Sequence, residues 1–267
     1  MGTFLLQHAS ILMNQLPVVL TFTSHDPSGI SALQCDIETL GSLGIHCTSA
    51  LTGVFAKDSR EVKWQHNIPA STLVAQARAV LEDMPVCVIK IGDLNSIENI
   101  EAVHSILMDY SHIPVVFDPT SVEDQEELAD AYTNLILPMT TIAILNPSEL
   151  KSIIPYAENE EMAINLILES ECEYVLTNHF TKTDKVIHNQ LHSNNGCLKD
   201  YTTVRLDQRF QGAGGVLSAA IAGYMAHGAE ICEAVGDSHR LLQRSLKKAL
   251  SIGMGNQFPY RLAGIAS

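Results

Sequence analysis

Short, β-branched apolar runs alternate with longer segments of helical periodicity along most of this chain. No other feature constrains the fold as much. Strands joined through helices cannot pair as tight hairpins; they lie parallel and need cover on both faces. The runs predict strands over Pro17–Thr23, Cys47–Phe55, Val86–Ile91, Pro114–Phe117, Thr141–Leu145 and Tyr174–Leu176. Apolar spacing predicts helices over Ile30–Leu43, Ala70–Met84, Ser96–Asp109, Glu123–Tyr132, Leu150–Ile154 and Glu160–Leu168, with Ser28 as the N-cap of the first. Lys185–His188 and Tyr201–Leu206 read as late strands or a hairpin across a polar loop, His192–Gly196. Two helices close the chain, one to about Ala226 and one over Ala229–Ile252. The expectation is an α/β fold: a mostly parallel central sheet between two helical layers.

Composition narrows the function. A formal net charge of −14, with only 16 Lys and Arg, argues against nucleic acid or an anionic membrane as partner. It does not exclude a local basic pocket for the phosphates of a small-molecule substrate. Six scattered cysteines without a CxxC pair read as reduced thiols of a cytoplasmic protein. Residues 1–15 lack the features of a signal peptide and read as a disordered extension, with Met13 an alternative start. Residues 16–267 show no break in composition and read as one domain.

In parallel sheets, ligands bind beyond the carboxyl ends of the strands. Polar residues gather at those ends: Ser24, His25 and Asp26; Asp93; Asp118; Asn146 and Glu149; Thr177 and Asn178. Each also reads as a turn or capping residue, but their recurrence at one end favours a shared site. Gly212-Ala213-Gly214-Gly215 then opens a small-residue helix. Glycines allow close approach, and the helix start turns free N–H groups and a positive dipole end toward one point. This suits a phosphate or a developing anion; the plain alternative is a glycine turn before a packed helix.

These stretches resemble the hydroxymethylpyrimidine/phosphomethylpyrimidine kinases of the ribokinase-like superfamily, from about Leu16 to near Ile252. The matching segments are Asp26-Pro27-Ser28-Gly29 with Gln34 and Asp36, Ile89-Lys90-Ile91-Gly92, Asp118-Pro119, Asn146-Pro147-Ser148-Glu149 and Gly212-Ala213-Gly214. The resemblance implies a ribokinase-like three-layer α/β/α sandwich that transfers the γ-phosphoryl of ATP, with Mg2+, to a hydroxymethyl or phosphomethyl pyrimidine in thiamin biosynthesis. It implies a backbone anion hole at Gly212, Ala213, Gly214 and Gly215, and substrate contacts from Ser24, Asp26, Asp36, Lys57 and Asp93. ATP would meet Asn146, Thr177 and Asn178, and the metal Glu149 and Asp118. For Glu149 the plain reading is a helix first-turn carboxylate. A homodimer is also implied.

The chain departs from the family pattern at chemically important places. Gly215 stands where the pyrimidine kinases carry a catalytic Cys and the sugar kinases an Asp, so no side chain there can accept a proton. His25 is a substitute base or simply a strand-end histidine. Lys57 replaces an amide that reads the pyrimidine edge; Lys57 and Asp93 either pair across the pocket or are solvated loop charges. Thr177-Asn178-His179-Phe180-Thr181 lacks the usual glycines, so Phe180 would crowd a phosphate. Two alternatives follow: a non-catalytic ligand-binding relative, or a kinase for another small alcohol such as pyridoxal or a sugar.

Overall fold

A computed structural model describes residues 16–119, 122, 125–179 and 185–264. The expected extension over 1–15, with Met13, and the expectation for Phe180 and Thr181 fall outside these residues.

Among the described residues nine strands form one sheet: β1 Val18–His25, β2 His46–Lys57, β3 Val62–Asn67, β4 Val86–Ile91, β5 Val115–Phe117, β6 Ile142–Leu145, β7 Tyr174–His179, β8 Val186–Ser193 and β9 Gly196–Val204. Their order is β3-β2-β1-β4-β5-β6-β7-β8-β9. The six strands β1, β2, β4, β5, β6 and β7 are parallel, whereas β3, β8 and β9 are antiparallel to their neighbours. The helices are α1 Ala32–Ser42, α2 Ala70–Leu81, α3 Ile97–Asp109, α4 Glu126–Ala131, α5 Pro147–Ile153, α6 Glu160–Glu169, α7 Ala213–Ala226 and α8 Ile231–Lys247.

The strand period of two sends alternate side chains to opposite faces. Leu20 and Phe22 of β1 join Leu73 of α2, Ile100 of α3 and Ile167 of α6 in one buried cluster. Val19 joins Leu40 of α1, Leu217 and Ile221 of α7 and Val235 of α8 in the other. This is the expected α/β/α sandwich. The matching of both β1 faces to helices explains why it is buried without interruption from Val18 through Ser24.

Four local expectations need correction. The N-cap of α1 is Ser31, not Ser28, because the Asp26 carboxylate gathers the backbone N–H and hydroxyl of both Ser28 and Ser31 and prolongs the turn. β3 was not predicted: its residues are nearly all exposed, so it has no apolar run to read, and it is held by antiparallel pairing with β2. The late strands do form a hairpin, but its loop is shorter than His192–Gly196, with Ser193 already opposite Gly196. Only every second residue of β8 is buried there, so polar residues hide the strand. The acidic segment is helical only over Glu126–Ala131 among its described residues, and continues as a π turn, Tyr132–Ile136, and a 3-10 turn, Leu137–Met139.

Candidate active site

β1 has β2 on one side and β4 on the other, so the chain leaves it in opposite directions, and a crevice opens beyond the strand ends. A cavity of about 480 Å³ lies there. Thr23, Asp93 and Asp118 reach it from the ends of β1, β4 and β5; Glu149 reaches it from α5 and Gly214 from α7.

The glycine turn is seated by contacts that forbid a side chain. Gly212 precedes α7 at φ +77°, and a Cβ there would stand 2.5 Å from the Ile30 carbonyl oxygen. That carbonyl cannot move freely, because Arg261 Nη2 donates to it while Nη1 donates to the Gly29 carbonyl at 2.7 Å and pairs with Glu38 at 3.1 Å. Arg261 is buried. A Cβ at Gly214 would instead face the cavity, 3.9 Å from Asp118 Oδ1. The first N–H groups of α7 have no intrahelical acceptor, so this end of the helix offers donors and positive potential to an anion.

Carboxylates stand opposite. Asp118 Oδ2 accepts from Ser218 Oγ at 2.5 Å. Burial raises its pKa despite the opposing Lys90 charge and the Ser218 hydrogen bond. Glu149 is the third residue of α5 and completes a capping box: its Oε2 accepts from the Asn146 N–H at 2.8 Å, and Asn146 Oδ1 accepts from the Ser148 and Glu149 N–H groups. The plain reading of Glu149 is therefore realised, and the same residue lines the cavity. Burial, aided by the Asp118 charge, pushes its pKa up to about 8. Among the described residues no group of three or more metal-ligating side chains occurs. Two carboxylates on one cavity fit Mg2+, which uses few protein ligands and shares phosphate oxygens.

Beneath them lies a buried ion pair that the sequence reading passed over. Lys90 Nζ is 3.0 Å from Asp36 Oδ1, and Thr21 Oγ1 donates to Asp36 Oδ2 at 2.6 Å. Burial opposes the Lys90 charge, but the Asp36 and Asp118 carboxylates outweigh it and raise the ammonium pKa. The signal was present: a lysine inside an apolar strand, Val86–Ile91, requires a buried counter-charge.

Lys57 and Asp93 do not pair, and neither is a solvated loop charge. Lys57 Nζ stands 3.3 Å from Asp26 Oδ2 and donates to Ser31 Oγ at 2.8 Å, with 11% of its side chain exposed. With its amide turned so that both ends are satisfied, Gln211 also accepts from Lys57 at 3.2 Å. Burial disfavours the Asp26 charge, yet the Ser28 and Ser31 hydroxyls and Lys57 hold its pKa below the ordinary value. Asp93 Oδ2 accepts from Ser24 Oγ at 2.6 Å and lies 3.4 Å from Asn95 Nδ2. Ser24 and Asp26 are buried behind the cavity wall and orient Asp93 and Lys57, which line it with Asp36.

The other expected residues stand apart from the cavity lining. Ala213 lies within the turn; Asn146 spends its side-chain oxygen on the α5 cap; Thr177 is buried near the end of β7, where Asn178 pairs with Asn189 of β8. His25 is exposed at the end of β1, away from this lining.

Comparison with known proteins agrees with this fold. The chain is 32% identical to a hydroxymethylpyrimidine/phosphomethylpyrimidine kinase of Streptomyces coelicolor over 151 residues, which is 54% of this chain and 56% of that protein. A protein of the same name from Haemophilus influenzae is 25% identical over 91% of this chain and 96% of its own length. Bacillus subtilis pyridoxal kinase, solved with ADP, shares the fold at a TM-score of 0.86 and 22% identity, covering 93% and 98% of the two chains. The phosphomethylpyrimidine kinase family model matches residues 26–260, which span both the Asp26 turn and the Gly212–Gly215 turn. The chain belongs to the phosphomethylpyrimidine kinase family.

Proposed function

We propose that the chain transfers the γ-phosphoryl group of ATP to a hydroxymethyl or phosphomethyl pyrimidine, as a step of thiamin biosynthesis. One observation carries the reading: the Gly212–Gly215 turn faces Asp118 and Glu149 across one cavity at the switch point of the sheet. An acceptor oxygen attacks the γ-phosphorus, the bond to the ADP oxygen breaks, and the acceptor proton passes to a transferred phosphoryl oxygen or to water. Catalysis of this kind is mostly positioning and charge stabilisation. The turn amides hold the transferring oxygens, while Lys90 offsets the Asp36 and Asp118 charges from below. Glu149 and Asp118 would hold Mg2+, which when bound neutralises phosphate charge. Lys57, Asp36 and Asp93 shape the acceptor end, with Ser24 and Asp26 behind them; Asn146, Thr177 and Asn178 stand on the nucleotide side.

Absence of a base at Gly215 lowers the rate without removing the mechanism, by about 10² to 10⁴ on general grounds. The free thiols support a cytoplasmic enzyme, built as one kinase domain over 16–267 and assembled as a homodimer. An ATP-consumption assay with hydroxymethylpyrimidine, its phosphate and pyridoxal tests the reading. Turnover of the pyrimidines supports it, and preference for pyridoxal assigns a different alcohol. Failure of folded protein with every acceptor favours a non-catalytic binder, the reading to which Gly215 points.

A further inference from the structure

The glycine turn has a second seat besides the Ile30 carbonyl. Cys35, in the first turn of α1, is wholly buried. A Cβ at Gly215 would stand 3.2 Å from its Sγ and 3.9 Å from its Cβ. The same Sγ contacts the Gly212 carbonyl oxygen at 3.9 Å as a weak donor. One thiol therefore touches both ends of the turn, and the start of α1 forms the mould in which the turn lies.

We propose that Cys35 is a positioning residue for the anion turn: from α1 it fills the space that a side chain at 215 would take, and so fixes where the turn amides stand against the cavity. Burial pushes the thiol pKa up to about 12, so the group stays protonated and acts by volume and weak donation, not as a base or nucleophile. Residues 35 and 215 then share one side-chain volume. A lone substitution at 215 overfills it, and a lone truncation at 35 empties it.

The inference rests on the kinase reading for its activity arm only. Four proteins test it: wild type, Cys35→Ala, Gly215→Ala and the double variant Cys35→Ala/Gly215→Ala, which moves a methyl-sized group from one side of the shared volume to the other. Each single variant is expected to lower the thermal midpoint and to cut kcat about tenfold, because small displacements of reacting groups are costly. KM for the acceptor stays unchanged, since the acceptor end is untouched. The double variant returns kcat to within about twofold of wild type and recovers most of the midpoint, the non-additivity expected of touching residues. Additive losses in midpoint and in kcat would overturn the assignment. If wild type transfers to no acceptor, the thermal cycle and the Tm rise given by ATP with Mg2+ still decide the role of Cys35, while the kinase reading alone falls. If wild type is active and the cycle is additive, only the role of Cys35 falls.

Discussion

Replacing Gly212 by alanine should separate the seating of the turn from its chemistry. A left-handed φ costs a side-chain-bearing residue about 1–2 kcal/mol. The new Cβ would also meet the Ile30 carbonyl oxygen at 2.5 Å, well inside contact distance. A side-chain tip could rotate away; this oxygen is backbone, and the buried Arg261 guanidinium holds it. Forced displacement of packed atoms adds about 1–3 kcal/mol. The total, about 2–5 kcal/mol, lowers the midpoint of a chain this size by about 4–10 °C. Gly214→Ala is the control: its Cβ meets nothing closer than Asp118 Oδ1 at 3.9 Å, so stability should change by less than about 0.5 kcal/mol. Yet that methyl stands in the cavity where a phosphate must approach, so phosphoryl transfer should fall sharply. Thermal denaturation followed by circular dichroism, beside the transfer assay, reads both. If Gly212→Ala melts within about 1 °C of wild type, or Gly214→Ala is the less stable of the two, the account of the turn is wrong.

Removing one partner of the Lys90–Asp36 pair, as in Lys90→Met, should cost about 3–5 kcal/mol in chemical denaturation, whereas Lys90→Met with Asp36→Leu should recover much of it. Asn146→Ala should lose about 1 kcal/mol through its helix cap, read by thermal unfolding, while the backbone N–H of residue 146 stays bonded to Glu149 Oε2 and transfer activity holds. His239 packs against Tyr201, and burial pushes its pKa from 6.5 down to about 4. The unfolded chain therefore takes up that proton first as pH falls. The neutral imidazole's contribution is intact above pH 6.5 and is lost toward pH 4, by about 3 kcal/mol. His239→Phe should flatten the difference between melting curves taken across that range, and an unchanged difference refutes the assignment.

Much of the fold was legible because burial leaves a periodic trace. β4 was readable end to end, since Val86–Ile91 is apolar and lies between neighbours on both sides. β3 left no such trace, because pairing alone holds its exposed residues. The candidate site divides along the same line. The glycine turn and the strand-end acids could be listed from sequence, since each residue type announces a local geometry. Their partners could not. That Lys57 is bound to Asp26 and not to Asp93 depends on which loop crosses β2, and that Gly215 faces Cys35 depends on how α1 and α7 meet. Arg261 carried no local signal, because its role is to bind carbonyl oxygens far away in the sequence.

That last distance shapes the order in which the molecule can be completed. Arg261 follows Gly29 by 232 positions. A chain emerging from the ribosome thus presents its first loop long before the guanidinium that will lock it exists. The sheet can assemble progressively while the Gly212 turn still lacks its keystone, so competence waits for a residue made 232 positions after the loop it holds. A nascent chain halted shortly before residue 261 should already resist proteolysis across its strands and yet gain no protection from ATP.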